Sequence, residues 1–207
     1  MVYLPPHFTE AREDVLLAHI ERHEFALLTT NGESGMIASQ VPILAERRDG
    51  TLYLQGHLAC GNPQCLDIYA GREALAVFWG PHAYISPSWY TAGPAVPTWN
   101  YASVHAYGAP RAIPDKEWLR GFLQRLSERH EAGGAAPWRM QDQPEKFLDG
   151  MMGGILGFEI AVARLEGKFK LSQNRPAADR PRIIAALEAR EDTDSHGVAG
   201  LMREREA

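Results

Sequence analysis

Between residues 25 and 167 the chain alternates apolar and polar positions in short runs, the period-2 pattern of strands that bury one face. FALLTT (25–30) and MIASQVPIL (36–44) are two such runs. NGESG joins them, and its Asn-Gly pair and second glycine suit the positive φ angles of a hairpin, which predicts antiparallel pairing. The turn ERRDG leads into TLYLQGHL (51–58), and EALAVFWG (73–80) is the fourth run. TWNYASVHAYGAPRAI (98–113) reads as a fifth strand. ILGFEIAVARLEG (155–167) reads as a sixth, with Phe158, Ile160 and Val162 on one face.

Helical periodicity surrounds and interrupts these runs. Thr9 is the expected cap of TEAREDVLLAHIERH, where Val15, Leu16 and Ile20 form an apolar stripe. Asn62-Pro63 opens a short helical piece after the third strand. In DKEWLRGFLQRLSERHE, Trp118, Phe122 and Leu126 recur one turn apart until GGAAP stops the pattern, and PEKFLDGM and RPRIIAALEARE are further helical segments. Short strands joined mostly by tight turns argue against a parallel sheet. They predict a mainly β protein with helices (α+β): a six-stranded antiparallel barrel, closed or half-closed, decorated by N-terminal, inter-strand and C-terminal helices. With no repeat or low-complexity linker, residues 1–192 are expected to form one domain and residues 193–207 a C-terminal tail.

Residues 80–101, GPHAYISPSWYTAGPAVPTWNY, crowd aromatics against prolines. Proline removes ladder donors and breaks helices, so a rigidly shaped loop is expected there, of the sort that borders binding sites.

Composition narrows the function classes. The chain has 207 residues, 45% hydrophobic and 23% charged, the profile of an ordinary globular protein. No apolar run approaches a membrane span, and MVYLPPHFTE has neither a basic n-region nor an apolar h-region, so a cytoplasmic protein without membrane association is expected. Free thiols are then expected at Cys60 and Cys65. The net charge of -5 is opposite to a nucleic-acid footprint and argues against specific duplex DNA binding by the chain alone.

Two segments carry candidate chemistry. LQGHLACGNPQCL ends a strand and starts a helix, where backbone N–H groups beside His57 and Asn62 suit a phosphate; the alternative is a plain helix cap with a surface histidine. KFKLSQNRP sets Lys168, Lys170 and Arg175 near Gln173 and Asn174. It is either a solvated strand end or a cation and amide set facing an anionic or heteroaromatic ligand. His57, Cys60 and Cys65 lack a fourth partner for zinc, so no metal is expected. The usual serine-hydrolase elbow, phosphate-binding P-loop and dinucleotide fingerprints are absent, and His105 fits a strand histidine better than a base.

GHLACGNP, AVFWGPHAYISPSWY, VPTWNYASVHAYG and LEGKFKLSQNRP, in that order, together resemble the PaiB-type family of FMN-binding negative transcriptional regulators, of the flavin-binding split-barrel superfamily. MVYLPPHF, FALLTT and SQVPIL extend the resemblance, which runs from residue 1 to about residue 190. It implies a split barrel that forms a homodimer with FMN in clefts between protomers. Carried over by position, Thr29, Thr30, Ser39, Gln40 and Val41 would border the ring and ribityl chain. His57, Leu58, Ala59 and Asn62 would hold the phosphate. Trp99, Asn100, Lys170 and Gln173 would close the site, some from the partner, with Tyr84, Trp89 and Tyr90 as support beneath. Where family members often read H-L-A-R-A-N-P, this chain has Cys60 in place of the arginine, losing a charged phosphate contact. The functions that follow are an FMN-binding regulatory protein, a flavin-dependent oxidoreductase using the same site, or a dimeric scaffold without flavin.

Overall fold

The computed structural model describes residues 2–33, 35–91 and 93–205. In chain order the strands and helices are β1 (Thr9–Glu10), α1 (Glu13–Arg22), β2 (Phe25–Gly32), β3 (Gly35–Pro42), β4 (Leu44–Arg48), β5 (Thr51–Ala59), α2 (Gln64–Tyr69), β6 (Ala74–Ile85), β7 (Thr98–Gly108), β8 (Pro110–Ile113), α3 (Lys116–Glu131), α4 (Glu145–Met152), β9 (Ile155–Ala161), β10 (Arg164–Lys170), α5 (Arg180–Glu188) and α6 (Thr193–Arg203). They form an α+β fold with one sheet of order β1-β10-β7-β6-β2-β3 and another of order β4-β5-β9-β8.

Three of the six expected runs are each divided in two, and each division moves the chain from one sheet to the other. Between β3 and β4, Ile43 turns inward (1% exposed) and its N–H donates to the Glu24 carbonyl at 2.9 Å. Between β7 and β8 the bend falls at Gly108–Pro110: a Cβ on Gly108 would lie 2.2 Å from the Ala161 carbonyl oxygen, so this close crossing requires glycine. Between β9 and β10, the N–H groups of Val162 and Ala163 donate to the Leu52 and Tyr107 carbonyls at 2.9 and 2.8 Å. Bends that carry one run across two sheets are how orthogonal β layers make their corners. Alternation marks such runs but not the bends, because the inward-facing residue continues the pattern.

The chain divides into two compact units: Met1–His23 with Phe78–His105 and Glu166–Ala207, and Glu24–Val77 with Ala106–Leu165. The second unit contains the antiparallel hairpin β2–β3, with Leu27 opposite Gln40 and Leu28 opposite Ser39, and β6 pairs with β2 as far as Leu27 opposite Val77. Its other sheet is antiparallel throughout, with β5 central against β4 and β9. Leu28, Leu54, Phe158 and Ile160 are its buried interior. Helix α3 starts as the sequence pattern indicates: Asp115 Oδ1 accepts from Trp118 N–H at 2.7 Å, and the Trp118 and Phe122 rings stack 5.5 Å apart.

In the first unit α1 buries Leu16, His19 and Ile20, and α5 and α6 bury Ile183, Leu187, Val198 and Met202. Thr9 is not the cap of α1. It lies in β1 opposite Lys168, its hydroxyl donates to the Pro5 carbonyl at 3.1 Å, and the helix begins at Glu13 after Arg12 with no side-chain cap. Glu13 and Asp14 in the first turn favour that helix end instead through its dipole. Residues 193–203, expected within a tail, are helical, with Asp192 Oδ1 accepting from Ser195 N–H at 2.7 Å; the last two residues, Glu206 and Ala207, lie outside the described residues. Gly80–Ile85, expected as loop, continue β6 through Pro81. Pairing of β6 with β2 ends at Val77, and a missing donor beyond that point removes no bond to β2. Ala92, in the remaining loop, and Ser34, in the hairpin turn, lie outside the described residues.

Candidate functional site

In the second unit, the side chains expected around a phosphate and ribityl chain are distributed by strand alternation. Thr30 and Val41 are buried and Ser39 shares their inward face, whereas Thr29 and Gln40 lie on the outward face with Leu27. Asn62 ties the inward face to the start of α2: its amide donates to Ser39 Oγ at 2.9 Å and its Oδ1 accepts from Gln64 N–H at 2.9 Å. Ser39 therefore keeps its own hydroxyl proton as a donor. The Asn-Pro signal for a helix start holds, with Pro63 at the N-cap and Asn62 making the polar bond one residue before it.

Gln64 and Asp67, which the sequence pattern did not single out, anchor α2 to the hairpin. Gln64 is fully buried, and its amide nitrogen reaches the Leu28 carbonyl, Thr30 Oγ1 and the Ile37 carbonyl at 3.1, 3.2 and 3.3 Å. Thr30 donates to Asp67 Oδ2 at 2.7 Å. A Cβ on Gly32 would stand 1.7 Å from Asp67 Oδ1, so this glycine, expected to supply a positive φ in the turn, instead makes room for the carboxylate. A helix of six residues is too short for periodicity to show which face turns inward.

His57 lies on β5 opposite Gly157, its ring centroid 5.7 Å from that of Phe122 in an edge-on arrangement. Burial holds its pKa below the ordinary value, and its Nδ1 is buried without a hydrogen-bond partner, as is Gln64 Oε1. Leu58 is buried, while Ala59 and Cys60 are exposed. Several N–H groups of the turn are already engaged: Cys60 to Gly154, Asn62 to Ala59 and Cys65 to Asn62, at 2.9, 2.9 and 3.0 Å. Donors for an anion here come from Ser39, Asn62 and His57 rather than from those backbone groups. Cys60 and Cys65 are free thiols, and among the described residues no His, Cys, Asp or Glu group is arranged to hold a metal ion.

The other expected residues belong to the first unit. Trp99 and Asn100 sit on opposite faces of β7: Trp99 is 52% exposed, whereas Asn100 is fully buried and donates to Ser172 Oγ at 2.9 Å. Trp99 meets Tyr84 edge-on at 6.0 Å, and Trp79 stacks on Tyr101 at 6.1 Å, forming an exposed aromatic row. Tyr84 thus stands beside Trp99, and the buried support is Tyr90, whose ring faces the Arg175 guanidinium at 4.3 Å. Gln173 staples the turn after β10, accepting from Leu171 N–H at 2.7 Å and donating to the Phe169 carbonyl at 2.5 Å. Lys170 donates to Thr98 Oγ1, and burial together with the charges of Lys168 and Arg175 holds its pKa below the ordinary value. This cationic group, with Lys168 between the Tyr3 and Tyr101 rings, suits an anion.

Residues 2–164 match the family described as "Putative FMN-binding domain". Over 204 residues the chain is 33% identical to the Protease synthase and sporulation protein PAI 2 of Bacillus subtilis (strain 168), covering 99% of this chain and 98% of that protein. Among solved structures, the FAD and heme binding protein from Mycobacterium smegmatis superposes with a TM-score of 0.60 at 17% identity, over 86% of this chain and 79% of that one. The flavocytochrome Anf3 from Azotobacter vinelandii gives 0.55 at 11% identity, over 81% and 72%. At these identities the structural likeness concerns the fold.

Proposed function

Because the chain belongs to this FMN-binding domain family, we propose that it binds FMN and that its biological output is regulatory, exerted as a cytoplasmic homodimer with a split-barrel core. The Ser39–Asn62 pair carries this reading: it leaves a hydroxyl donor and an amide N–H at the head of α2, beside a hairpin held in place by Gln64 and Asp67. The partnerless His57 Nδ1 and Gln64 Oε1 add a donor for phosphate oxygens and an acceptor for ribityl hydroxyls, so the residues present fit the cofactor. Ser39, Asn62 and His57 hold the phosphate and Leu58 and Ala59 form the wall; of the four hairpin residues expected at the ring and ribityl chain, Thr30 and Val41 share the inward face of Ser39 whereas Thr29 and Gln40 lie on the other, so only one of these pairs faces a given cofactor. Among the expected closing residues, Trp99 offers an exposed ring and Lys170 a charge, whereas Asn100 is fully buried against Ser172 and Gln173 is spent on the turn after β10, so those two act as support rather than as contacts. Bound FMN supplies one- or two-electron redox chemistry at its ring system. The chain's own residues bind and orient it.

Support for the dimer comes from exposed apolar surface: Phe25 and Met36 in the second unit are 67% and 76% exposed, and Trp79 and Trp99 in the first are 55% and 52% exposed. The relative named for protease synthase and sporulation supports a regulatory output, and the net charge of -5 favours one that does not depend on duplex DNA contact by this chain alone.

The test is the visible spectrum of the purified protein followed by FMN titration of the parent and of Ser39→Ala and Asn62→Ala. Saturable binding weakened about tenfold in each variant is expected, the size of one lost phosphate hydrogen bond. Absence of FMN binding by the parent overturns the assignment. Bleaching of bound flavin by a nicotinamide donor would move the function to an oxidoreductase. Light scattering that finds a monomer at micromolar concentration would remove the shared cleft.

A further inference from the structure

The first unit holds a cavity of about 660 Å³, within the size range of small-molecule sites. None of the residues assigned above to FMN lines it. One face of α1, the Trp79–His82 stretch of β6, Phe169 of β10 and one face of α6 form its walls. Trp79, Pro81 and Leu201 supply apolar surface, while Asp14, Asp194 and Glu204 supply three carboxylates against the one guanidinium of Arg22.

The imidazoles in the lining extend this acceptor-rich character. His19 is 5% exposed and its Nε2 lies 3.2 Å from the Phe78 carbonyl oxygen, so Nε2 carries the proton and Nδ1 the lone pair. Burial, with the neighbouring charge of His23, pushes His19 down to about 4, and burial also lowers His23. Both rings are therefore neutral near pH 7. His82 accepts from the Trp79 indole N–H through Nδ1 at 3.3 Å, and the same atom lies 3.7 Å from Asp194 Oδ1. An anion entering this space would meet three carboxylates and lone pairs. A donor-rich cation would meet its complement.

We propose that this cavity binds a small organic cation that carries an aromatic ring, its ammonium directed to Asp194 and its ring set against Trp79 and Leu201. Indole-like surfaces offer the cation a π face as well as apolar contact, and the carboxylates select by charge. None of its lining residues is among those assigned to FMN, so its ligand would act as a second input to the same chain.

Calorimetric titration of the whole protein with tryptamine and with indole-3-acetate, which share a ring and differ in charge, tests the proposal. Tryptamine is expected to bind saturably and at least about tenfold more tightly than the acid. Asp194→Asn should weaken tryptamine by about tenfold, and Ala18→Trp, which puts a large side chain into the cavity from an exposed position of α1, should abolish binding. Thermal melts and FMN titration of both variants should match the parent, showing that the effect is local. Equal affinity for the two indoles, no saturable tryptamine binding, or binding untouched by both variants would overturn the proposal.

Discussion

The polar interior of the second unit and that of the first are built on different principles. In the second, amides and hydroxyls are tied to one another, to backbone and to the buried Asp67 carboxylate: Asn62 to Ser39, Gln64 to Leu28 and Ile37, and Thr30 to Asp67. In the first, ionisable side chains occupy buried positions. Glu10 is 5% exposed and held by Arg12 and Arg205, His19 is 5% exposed, and Lys168 is 8% exposed. A network of amides holds its geometry across pH, whereas buried ionisable groups make structure depend on it. The Ser39–Asn62 pair and the Gln64 amide therefore bond to groups that do not titrate, with the Asp67 carboxylate and His57 as the ionisable members beside them, while the cavity and aromatic row belong to a region that holds more buried ionisable groups.

Among changes that leave the sequence intact, acid gives the largest expected effect. His19 has a folded pKa of about 4 against an ordinary 6.5, because burial disfavours its charged form. The unfolded chain thus takes up the proton first. The neutral ring's advantage is complete above pH 6.5 and is lost as pH falls towards 4, amounting to about 3 kcal/mol at roughly 1.4 kcal/mol per unit. His23, His57 and His105 are lowered too and act in the same direction. Burial raises the Glu10 pKa, but bonds from Arg12 and the charge of Arg205 outweigh it and hold the group at about 2; its contribution is lost below 4.5, mostly outside this window. Urea midpoints measured from pH 6.5 to pH 4 should fall, with a shallower slope in His19→Gln. A flat profile, or an unchanged slope in the variant, would show that His19 is not a buried neutral imidazole.

Next in size is the loss of the amide frame itself. Gln64→Leu keeps much of the volume but removes the amide that reaches two carbonyls and Thr30, and it should cost about 2 kcal/mol. Because α2 is then no longer tied to the hairpin, FMN affinity should fall together with stability. Denaturant melts with parallel FMN titration decide it: full FMN affinity in a destabilised variant would separate the amide frame from the cofactor site.

How much of this was legible follows from what kind of signal each residue leaves. The strands, α3 and the Asn-Pro helix start were visible because alternation, a helical apolar stripe and a turn dipeptide are local patterns. The divisions of three runs were not, since Ile43 looks like one more inward residue, and only the Gly108 and Pro110 pair hinted at a bend. Thr9 misled because a cap residue in sequence is also a good strand residue, and its pairing with β10 is 159 positions away by register with Lys168. Helix α6 carries an Asp192-to-Ser195 cap, but Gly197 and Gly200 weakened the helical pattern. Of the candidate site, the strand-borne and turn residues could be named. The burial of Asn100 beside exposed Trp99, the Gln173 staple and the inward aim of Gln64 depend on partners distant in sequence.

A smaller gain is expected from restoring the charge that Cys60 replaces. Cys60 is exposed and its N–H is already engaged with the Gly154 carbonyl, so Cys60→Arg changes no buried contact. A guanidinium at that position should tighten FMN by about tenfold, near 1.5 kcal/mol, the lower end for a charged hydrogen bond at an exposed site. The gain should shrink as salt rises. Unchanged affinity would indicate that the phosphate lies away from this turn or that another cation already neutralises it.

The smallest expected stability change, and the sharpest contrast within the first unit, concerns Trp99. With about half its surface exposed and its ring near 6 Å from those of Tyr84 and His82, Trp99 has little burial to lose, and Trp99→Ala should lower stability by less than about 1 kcal/mol. Tyr90 is 8% exposed, and Tyr90→Ala should cost about 3 to 5 kcal/mol, the range of buried aromatic truncations. Cofactor retention should follow the reverse order, with FMN weakened by loss of Trp99 and held, in whatever fraction remains folded, after loss of Tyr90. Light scattering on Trp99→Ala separates two ways in which its ring can matter. A folded dimer with weaker FMN places the ring at the cleft, whereas a monomer makes the aromatic row the seam between copies, with the cofactor lost as a consequence. If the variant stays dimeric and binds FMN as the parent does, the row on β6 and β7 closes no flavin site and the role assigned to Trp99 fails.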